Sequence, residues 1–390
     1  MTNTDNINAD GLRVALFSGN YNYVMDGPVR ALNKLVAHLE KRGASVLVFA
    51  PTVDEPAFAH SGELVSIPSL ALPGSRSEYR LGFGLVGEAK RRLNAFAPNL
   101  VHIAAPDITG FQALKYAEAT GATPVASFHT RFDTYPRYYG AKWLEKHLTN
   151  YMRNVYGRCV HVYAPSQSMR EELLRDGIGK DIRIWTRGVE SDLFSPGQRD
   201  LEWRRRNGVE DDDILIAFVG RVVLEKGIDV FAEAITLASR SNPKIRALVV
   251  GEGPERARFE ANLPTGVFTG YQQGADLARA YASADIFFNP SITETFGNVT
   301  LEAMASGLPT IAAAASGSLS LVEDNVTGKL SPPEKGAAGY AALLVDLAAD
   351  AQQRAHMSAH ARKKSLEFSW DSVLDDLIAN YRSAMVTHQR

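Results

Sequence analysis

A chain of 390 residues, 45% hydrophobic and 22% charged with a formal net charge of −2, is too long for one ordinary core and suits two domains of about 150 to 200 residues. A charge so near zero gives no footprint for nucleic acid, and no apolar run of about 18 residues marks a membrane span. The lone cysteine, Cys159, excludes an internal disulfide and fits a reducing cytoplasm. Residues 1–11 are polar, with two Asp and no basic stretch, so a secretory signal peptide is not expected.

The first predicted element is Arg13-Val-Ala-Leu-Phe17, a continuous apolar strand of the kind buried in parallel sheets. It runs through 18–24 and Met25-Asp26-Gly27-Pro28 into a helix over 30–42 that Gly43 stops, and the next strand covers 45–50. That strand, loop, helix, strand order puts the loop at the carboxyl edge of a sheet, where doubly wound folds bind ligands. The Gly-x-Gly-x-x-Gly expected of a dinucleotide site is absent there, which counts against a dehydrogenase.

Further strands are predicted over 100–104 and 124–128, the second ending in Ser127-Phe128-His129-Thr130. The His129 imidazole is able to donate to a phosphate or sugar hydroxyl at neutral pH; the alternative is a structural hydrogen bond. Over 131–147 basic and aromatic residues alternate, a composition that suits the headgroup layer of an anionic membrane. With Lys90-Arg91-Arg92 this segment is expected to rest on such a membrane and admit a lipid acceptor; the alternative is that its rings pack inward. A strand over 160–164 leads to a helix capped near Ser166 or Ser168, and a strand over 182–185 precedes a boundary near residue 195.

In the second half a strand over 214–219 ends in Gly220-Arg221 and reaches Lys226-Gly227. A guanidinium and an ammonium five residues apart on such a loop fit the two sides of one diphosphate, and would neutralise the charge left as a sugar departs. Two solvated surface cations are the plainer alternative. The triplet Asp211-Asp212-Asp213 falls at the opposite edge and reads as a solvated turn, not a metal site. Strands over 247–250 and 267–270 follow, the latter leaving through Tyr271.

The stretch from 284 to 310 is a strand ending at Asn289-Pro290, a loop closing in Phe296-Gly297, and a helix from Asn298 that Gly307 and Pro309 stop. The helix's first turn offers free N–H groups and a positive dipole end, which hold a phosphate without side chains. Glu294 and Glu302 frame that end. Acids would repel a bare anion but accept from sugar hydroxyls, which points to a nucleotide-sugar; otherwise they are a solvated loop acid and a helix residue favoured near an N-terminus. A strand over 310–314, the run Ala315-Ser316-Gly317-Ser318 and a turn over 325–328 come next. The last helix, capped by Ser369 or Asp371, gathers Val373, Leu374, Leu377, Ile378 and Tyr381 on one face.

Glu294-Thr-Phe-Gly297, Glu302, Ala303-Met-Ala-Ser-Gly-Leu-Pro309, Asn325-Val-Thr-Gly328, Gly220-Arg221 with Lys226-Gly227, and Val250-Gly-Glu-Gly-Pro254 resemble the retaining GT-B glycosyltransferases of family GT4. The resemblance spans roughly 13–384 and is strongest over 220–328. It implies an α/β fold of two Rossmann-like doubly wound domains facing across a cleft: 12–195 on the acceptor side and 196–368 holding the nucleotide-sugar. The helix 369–390 would cross back to the first domain. It also implies donor contacts from Gly27, Gly220, Arg221, Lys226, Tyr271, Glu294, Phe296, Gly297, Asn298, Val299 and Glu302. His129, Arg221, Lys226 and Glu294 would be catalytic, with no metal and no cofactor. For Tyr271, core packing stands as the alternative.

Ser127-Phe128-His129-Thr130 looks like a segment of the family's lipid-linked mannosyl and sulfoquinovosyl transferases, which favours GDP-mannose as donor and a lipid-linked glycan or glycolipid as acceptor. The alternatives are a UDP-sugar (glucose, glucuronate or sulfoquinovose), a soluble acceptor, and an inactive binding module. The expected location is cytoplasmic, at the inner face of the cytoplasmic membrane. Three departures from the family pattern are Asp26-Gly27-Pro28 in a loop that is usually Gly-Gly or Asn-Gly-Val, Glu190 in place of Asp, and Ala315-Ser316-Gly317-Ser318 where Gly-Gly is frequent.

Overall fold

Two apolar segments, Arg13–Phe17 and Ile214–Val219, stand at the centre of two separate parallel sheets. The computed structural model describes residues 8–24, 26–71, 79–129 and 142–389, and the chain divides into one unit of Met1–Thr186 with Trp370–Arg390 and another of Arg187–Ser369.

In the first unit seven strands lie in the order Glu63–Ile67, Ser45–Pro51, Arg13–Phe17, Leu100–Ile103, Thr123–Ser127, His161–Ala164, Ile182–Ile184. All pair parallel, with Phe17 opposite both Phe49 and Ile103. The strand order reverses between Arg13–Phe17 and Leu100–Ile103, so their carboxyl ends diverge into a crevice. Helix Gly27–Lys41 begins three residues earlier than its periodicity suggests. Asp26 caps it by accepting from Val29 N at 2.9 Å, and Pro28 falls in the first turn, where a missing N–H leaves no bond unmade. Glu63–Ile67 and the small hairpin of Ser69–Ala71 with Arg80–Gly82 are edge elements that the hydrophobic pattern does not announce.

The last helix, Trp370–His388, belongs to this first unit, as the family resemblance implies. Val373, Leu374, Leu377, Ile378 and Tyr381 are all buried, packed with Leu100, Ala104, Tyr163 and Trp185 in one cluster. Each fully buried Leu or Ile contributes on the order of 1.5–3 kcal/mol. Of the two residues weighed as its cap, Ser369 directly precedes the helix, while Asp371 lies within it and faces helix Gly27–Lys41, 3.4 Å from His38 Nδ1 and 3.5 Å from Lys41 Nζ. Asp375 meets His38 at 2.7 Å and Arg42 at 2.5 Å.

The second unit repeats the plan with six parallel strands: Val267–Gly270, Ile245–Val250, Ile214–Val219, Ile286–Asn289, Thr310–Ala313, Gly328–Ser331. The order reverses between Ile214–Val219 and Ile286–Asn289, which brings the loops after those two strands together. Helices cover both faces and bury two apolar clusters. The edge strand Gly328–Ser331 extends the sheet where a turn alone is expected, because pairing with Thr310–Ala313 makes a strand of a short Gly-Lys-Leu-Ser run. The Asp211-Asp212-Asp213 turn lies before the central strand. Asp211 pairs with Arg205, Asp212 with Lys244, and Asp213 accepts from Glu210 N at 2.9 Å.

Candidate active site

In the second unit two loops carry the charged residues. Gly220 and Arg221 leave the strand Ile214–Val219, Arg221 is exposed, and Lys226 closes a short 3-10 turn, Leu224–Lys226. The neighbouring loop runs from Asn289 to helix Asn298–Ala305. Thr293 Oγ1 donates to Glu225 O at 3.2 Å, which ties the loops, and Lys226 Nζ donates to Glu294 Oε1 at 2.5 Å. Both partners of this pair are largely shielded, at 30% and 14% exposure. An acid and an ammonium held this way each keep hydrogen-bonding capacity for something else: Lys226 two N–H groups, Glu294 a second oxygen.

Helix Asn298–Ala305 begins at Gly297, whose φ of 97° is a left-handed conformation that costs a side chain strain, and no side chain caps the first turn. The amides of Asn298, Val299 and Thr300 therefore look outward for partners. Glu302, one turn further on, is half-buried, with the Tyr281 hydroxyl 3.1 Å from its Oε2 and 3.2 Å from Val299 O. Phe296 is buried and meets Phe368 edge-on at 6.2 Å, so it anchors the loop from below. Tyr271 is 61% exposed, which overturns the core-packing alternative for it. Gly317 presses against this loop: its N–H donates to Glu294 O at 2.9 Å, and a Cβ there would come within 2.9 Å of Glu294.

At the carboxyl edge of the first sheet a cavity of about 390 Å³ opens at the point where the strand order reverses. Leu32, Leu81, Leu148 and Met152 give it an apolar wall, and Asp26, Asp107 and His129 supply polar groups. Asp26 and Asp107 are the N-caps of helices Gly27–Lys41 and Ile108–Thr120, accepting from Val29 N and Gly110 N. Burial pushes both carboxyls above their ordinary pKa, and the capping amides offset part of that rise. Gly27 lies just behind Asp26 as the first residue of its helix.

His129 is buried, and its Nε2 is 2.8 Å from Ser127 Oγ, which is in turn 2.9 Å from His102 Nε2. The structure thus gathers Gly220, Arg221, Lys226 and the run from Glu294 to Glu302 at one sheet edge of the second unit. His129 and Gly27 are placed at the corresponding edge of the first.

Sequence reasoning misses Tyr281 and His102, and names Gly317 and Ser127 only within longer runs, with no contact assigned to either. Ser127 was legible in principle, since residues two apart on a strand share a face; the others meet their partners only through the tertiary fold. The aromatic-basic segment is outside the described residues over 130–141. Of its remainder, Trp143 is 71% exposed. Arg91 and Arg92 pair with Glu88 and Glu63. Among the described residues no helix is long and apolar enough to cross a membrane, and no cluster of His, Cys, Asp and Glu is arranged to hold a metal.

The chain resembles known glycosyltransferases in sequence and in fold. A family model described as "Glycosyl transferases group 1" matches residues 200–364, and one described as "Glycosyltransferase Family 4" matches residues 25–193. The GDP-mannose-dependent alpha-mannosyltransferase of Mycobacterium tuberculosis (strain CDC 1551 / Oshkosh) is 32% identical over 380 residues, 96% of this chain and 97% of its own. Sulfoquinovosyl transferase SQD2 of Arabidopsis thaliana is 31% identical over 326 residues, 81% of this chain and 62% of its own. Among solved structures, sucrose-phosphate synthase of Thermosynechococcus elongatus superposes with a TM-score of 0.77 at 21% identity, covering 96% of this chain and 99% of that one. That likeness is one of fold.

Proposed function

The chain belongs to the family 4 glycosyltransferases, and on that premise we propose that it moves mannose from GDP-mannose to a hydroxyl of a lipid-linked or glycolipid acceptor, with retention of configuration. The donor assignment is carried by one observation, the 32% identity to a GDP-mannose-dependent alpha-mannosyltransferase across 96% of this chain and 97% of that one. The second unit holds the donor. The open first turn at Asn298 and Val299 takes the diphosphate together with Arg221 and Lys226, Glu302 accepts from the ribose, and Glu294 orients the sugar. Tyr271, exposed beside its strand end, is left to meet the base.

Gly27 drops out of the diphosphate set in this reading. Asp26 already fills the amide of Val29 and places a carboxyl at the helix end, where it would repel a phosphate.

In the transfer the bond from the sugar's anomeric carbon to the diphosphate breaks as the acceptor oxygen bonds on the same face, and the acceptor's proton leaves with the phosphate. Lys226 and Arg221 stabilise the charge gathering on the diphosphate, and His129 contributes from the first unit. Because these cations and the helix end supply the positive charge, turnover is expected to survive EDTA. The apolar wall of the first unit's cavity supports an acceptor with a lipid part, and we place the protein at the inner face of the cytoplasmic membrane.

A second reading, sulfoquinovosyl transfer, is favoured by the 31% identity to SQD2. A thermal-shift panel decides between them, since a ligand that binds only the folded state raises the melting point. Selective stabilisation by GDP and GDP-mannose is expected; a response to UDP alone replaces the donor. Silence from every nucleoside diphosphate removes the catalytic reading. Flotation with anionic vesicles tests the membrane, and no enrichment would remove that part.

A further inference from the structure

A hydrogen-bonded line of four buried side chains runs from the last helix to the cavity of the first unit. The Tyr381 hydroxyl is 2.5 Å from His102 Nδ1, His102 Nε2 is 2.9 Å from Ser127 Oγ, and Ser127 Oγ is 2.8 Å from His129 Nε2. Tyr381, His102 and Ser127 are each 0% exposed and His129 8%. Trp185 closes the side of the line, edge-on to His102 at 5.9 Å and to His129 at 5.8 Å.

The direction of this line follows from counting protons. Burial holds the Tyr381 phenol protonated, its pKa pushed well up. Among the described residues His102 Nδ1 is the hydroxyl's one hydrogen-bond partner. The phenol therefore donates there, because a buried hydroxyl hydrogen with no acceptor is costly. Burial pushes the His102 pKa down to about 3, so the ring is neutral and carries one N–H. With Nδ1 accepting, that N–H is on Nε2 and goes to Ser127 Oγ. Ser127 has its own hydrogen to give, and His129 Nε2 receives it.

We infer that Tyr381 is a positioning residue for the transfer: acting through His102 and Ser127, it fixes His129 as the neutral tautomer with its proton on Nδ1. On the function proposed above, His129 then enters the transfer as a neutral ring with its proton on Nδ1, not as an imidazolium acid. To protonate Nε2, either the whole line reverses and the Tyr381 hydrogen is left with no acceptor, or Ser127 Oγ accepts from both rings and its own hydrogen has none among the described residues. Other titratable groups face the line. The Tyr163 ring packs on Tyr381 at 5.9 Å, and its hydroxyl is 3.4 Å from His161 Nδ1. Asp26, Asp107, Arg80, Tyr79 and Tyr151 share the cavity lining with His129. The inference rests on the reading above for His129's part in transfer, but the tautomer itself needs no substrate.

The test is NMR of the full chain carrying ¹⁵N,¹³C-labelled histidine, with Tyr381→Phe, which removes only the hydroxyl, and Ser127→Ala, which cuts the line in the middle. In the unsubstituted protein His102 is expected as Nε2–H and His129 as Nδ1–H at pH 7.5. In both variants the His129 signal becomes a mixture of tautomers, and kcat falls about 3- to 10-fold with the donor KM unchanged and the acid limb of the pH profile displaced. An Nε2–H or doubly protonated His129 in the unsubstituted protein overturns the inference even if both variants fold poorly, and so does a tautomer unmoved in Tyr381→Phe. A fixed Nδ1–H with transfer indifferent to His129→Ala sinks the catalytic reading of His129 instead, so the two failures are told apart.

Discussion

Two strand-loop-helix junctions, one in each unit, share a plan and differ in the residue that enters the helix. After Arg13–Phe17 the chain enters helix Gly27–Lys41 through Asp26, whose carboxyl takes the Val29 amide. After Ile286–Asn289 it enters helix Asn298–Ala305 through Gly297, which takes none. Each helix presents the same partial positive charge. One answers it with its own acid, and helix Ile108–Thr120 in the same unit does so again with Asp107. The other leaves it for a ligand. On the function proposed above, the first unit takes a neutral, partly apolar molecule and the second the diphosphate.

The largest expected effect comes from the charged pair that accompanies the open helix end. Lys226→Ala and Glu294→Ala should each lower kcat/KM about 10²- to 10³-fold, the range for losing one preorganised transition-state contact. Because the two touch at 2.5 Å, the double variant should fall scarcely further; strictly multiplied losses would show that they act apart.

Gly297→Asp gives the second unit the first unit's cap, and Gly297→Asn is its uncharged control. A Cβ at Gly297 meets nothing closer than 3.4 Å. Both variants bear the left-handed strain of about 1 kcal/mol, so the difference between them isolates the charge. Calorimetric titration should find GDP binding about fivefold weaker for Asp than for Asn, in line with roughly 1 kcal/mol for a charge at a helix end. Equal affinities would break the comparison.

Asp26→Ala is the reciprocal change, with about 1 kcal/mol lost from the first unit by denaturant unfolding and GDP affinity unaltered. Weaker GDP binding would return Gly27 and its loop to the donor site. The smallest effect is a slope. A carboxyl whose folded pKa lies above its ordinary 3.8 binds protons more readily folded than unfolded, so Asp107 costs stability as pH climbs from 3.8 through the raised value. Asp107→Asn keeps a capping oxygen and should flatten that fall in the unfolding midpoint; an unchanged slope would place its origin in another group.

The doubly wound architecture was legible because short continuous apolar runs such as Arg13–Phe17 and Ile214–Val219 alternate with helical patterns along the chain, the order of buried parallel strands. The helix start at Asn298 was legible too, because Gly297 and the apolar period fix it locally. What escaped depends on partners far away in sequence. The Lys226 to Glu294 contact bridges 68 positions and that of Tyr381 to His102 bridges 279, and no local pattern reports such a pair. Gly328–Ser331 is a strand only because Thr310–Ala313 lies beside it.

The membership of Trp370–His388 in the first unit bears on how the protein is made. A ribosome delivers the seven strands of the first sheet by residue 184, yet the apolar cluster on one face of that sheet includes Leu374, Leu377, Ile378 and Ala384. During translation the second unit is free to finish first, while the earlier half waits with a greasy face uncovered, exposed to chaperones and proteases. A stop codon that removed only the last twenty-one residues would therefore injure the beginning of the protein more than its end.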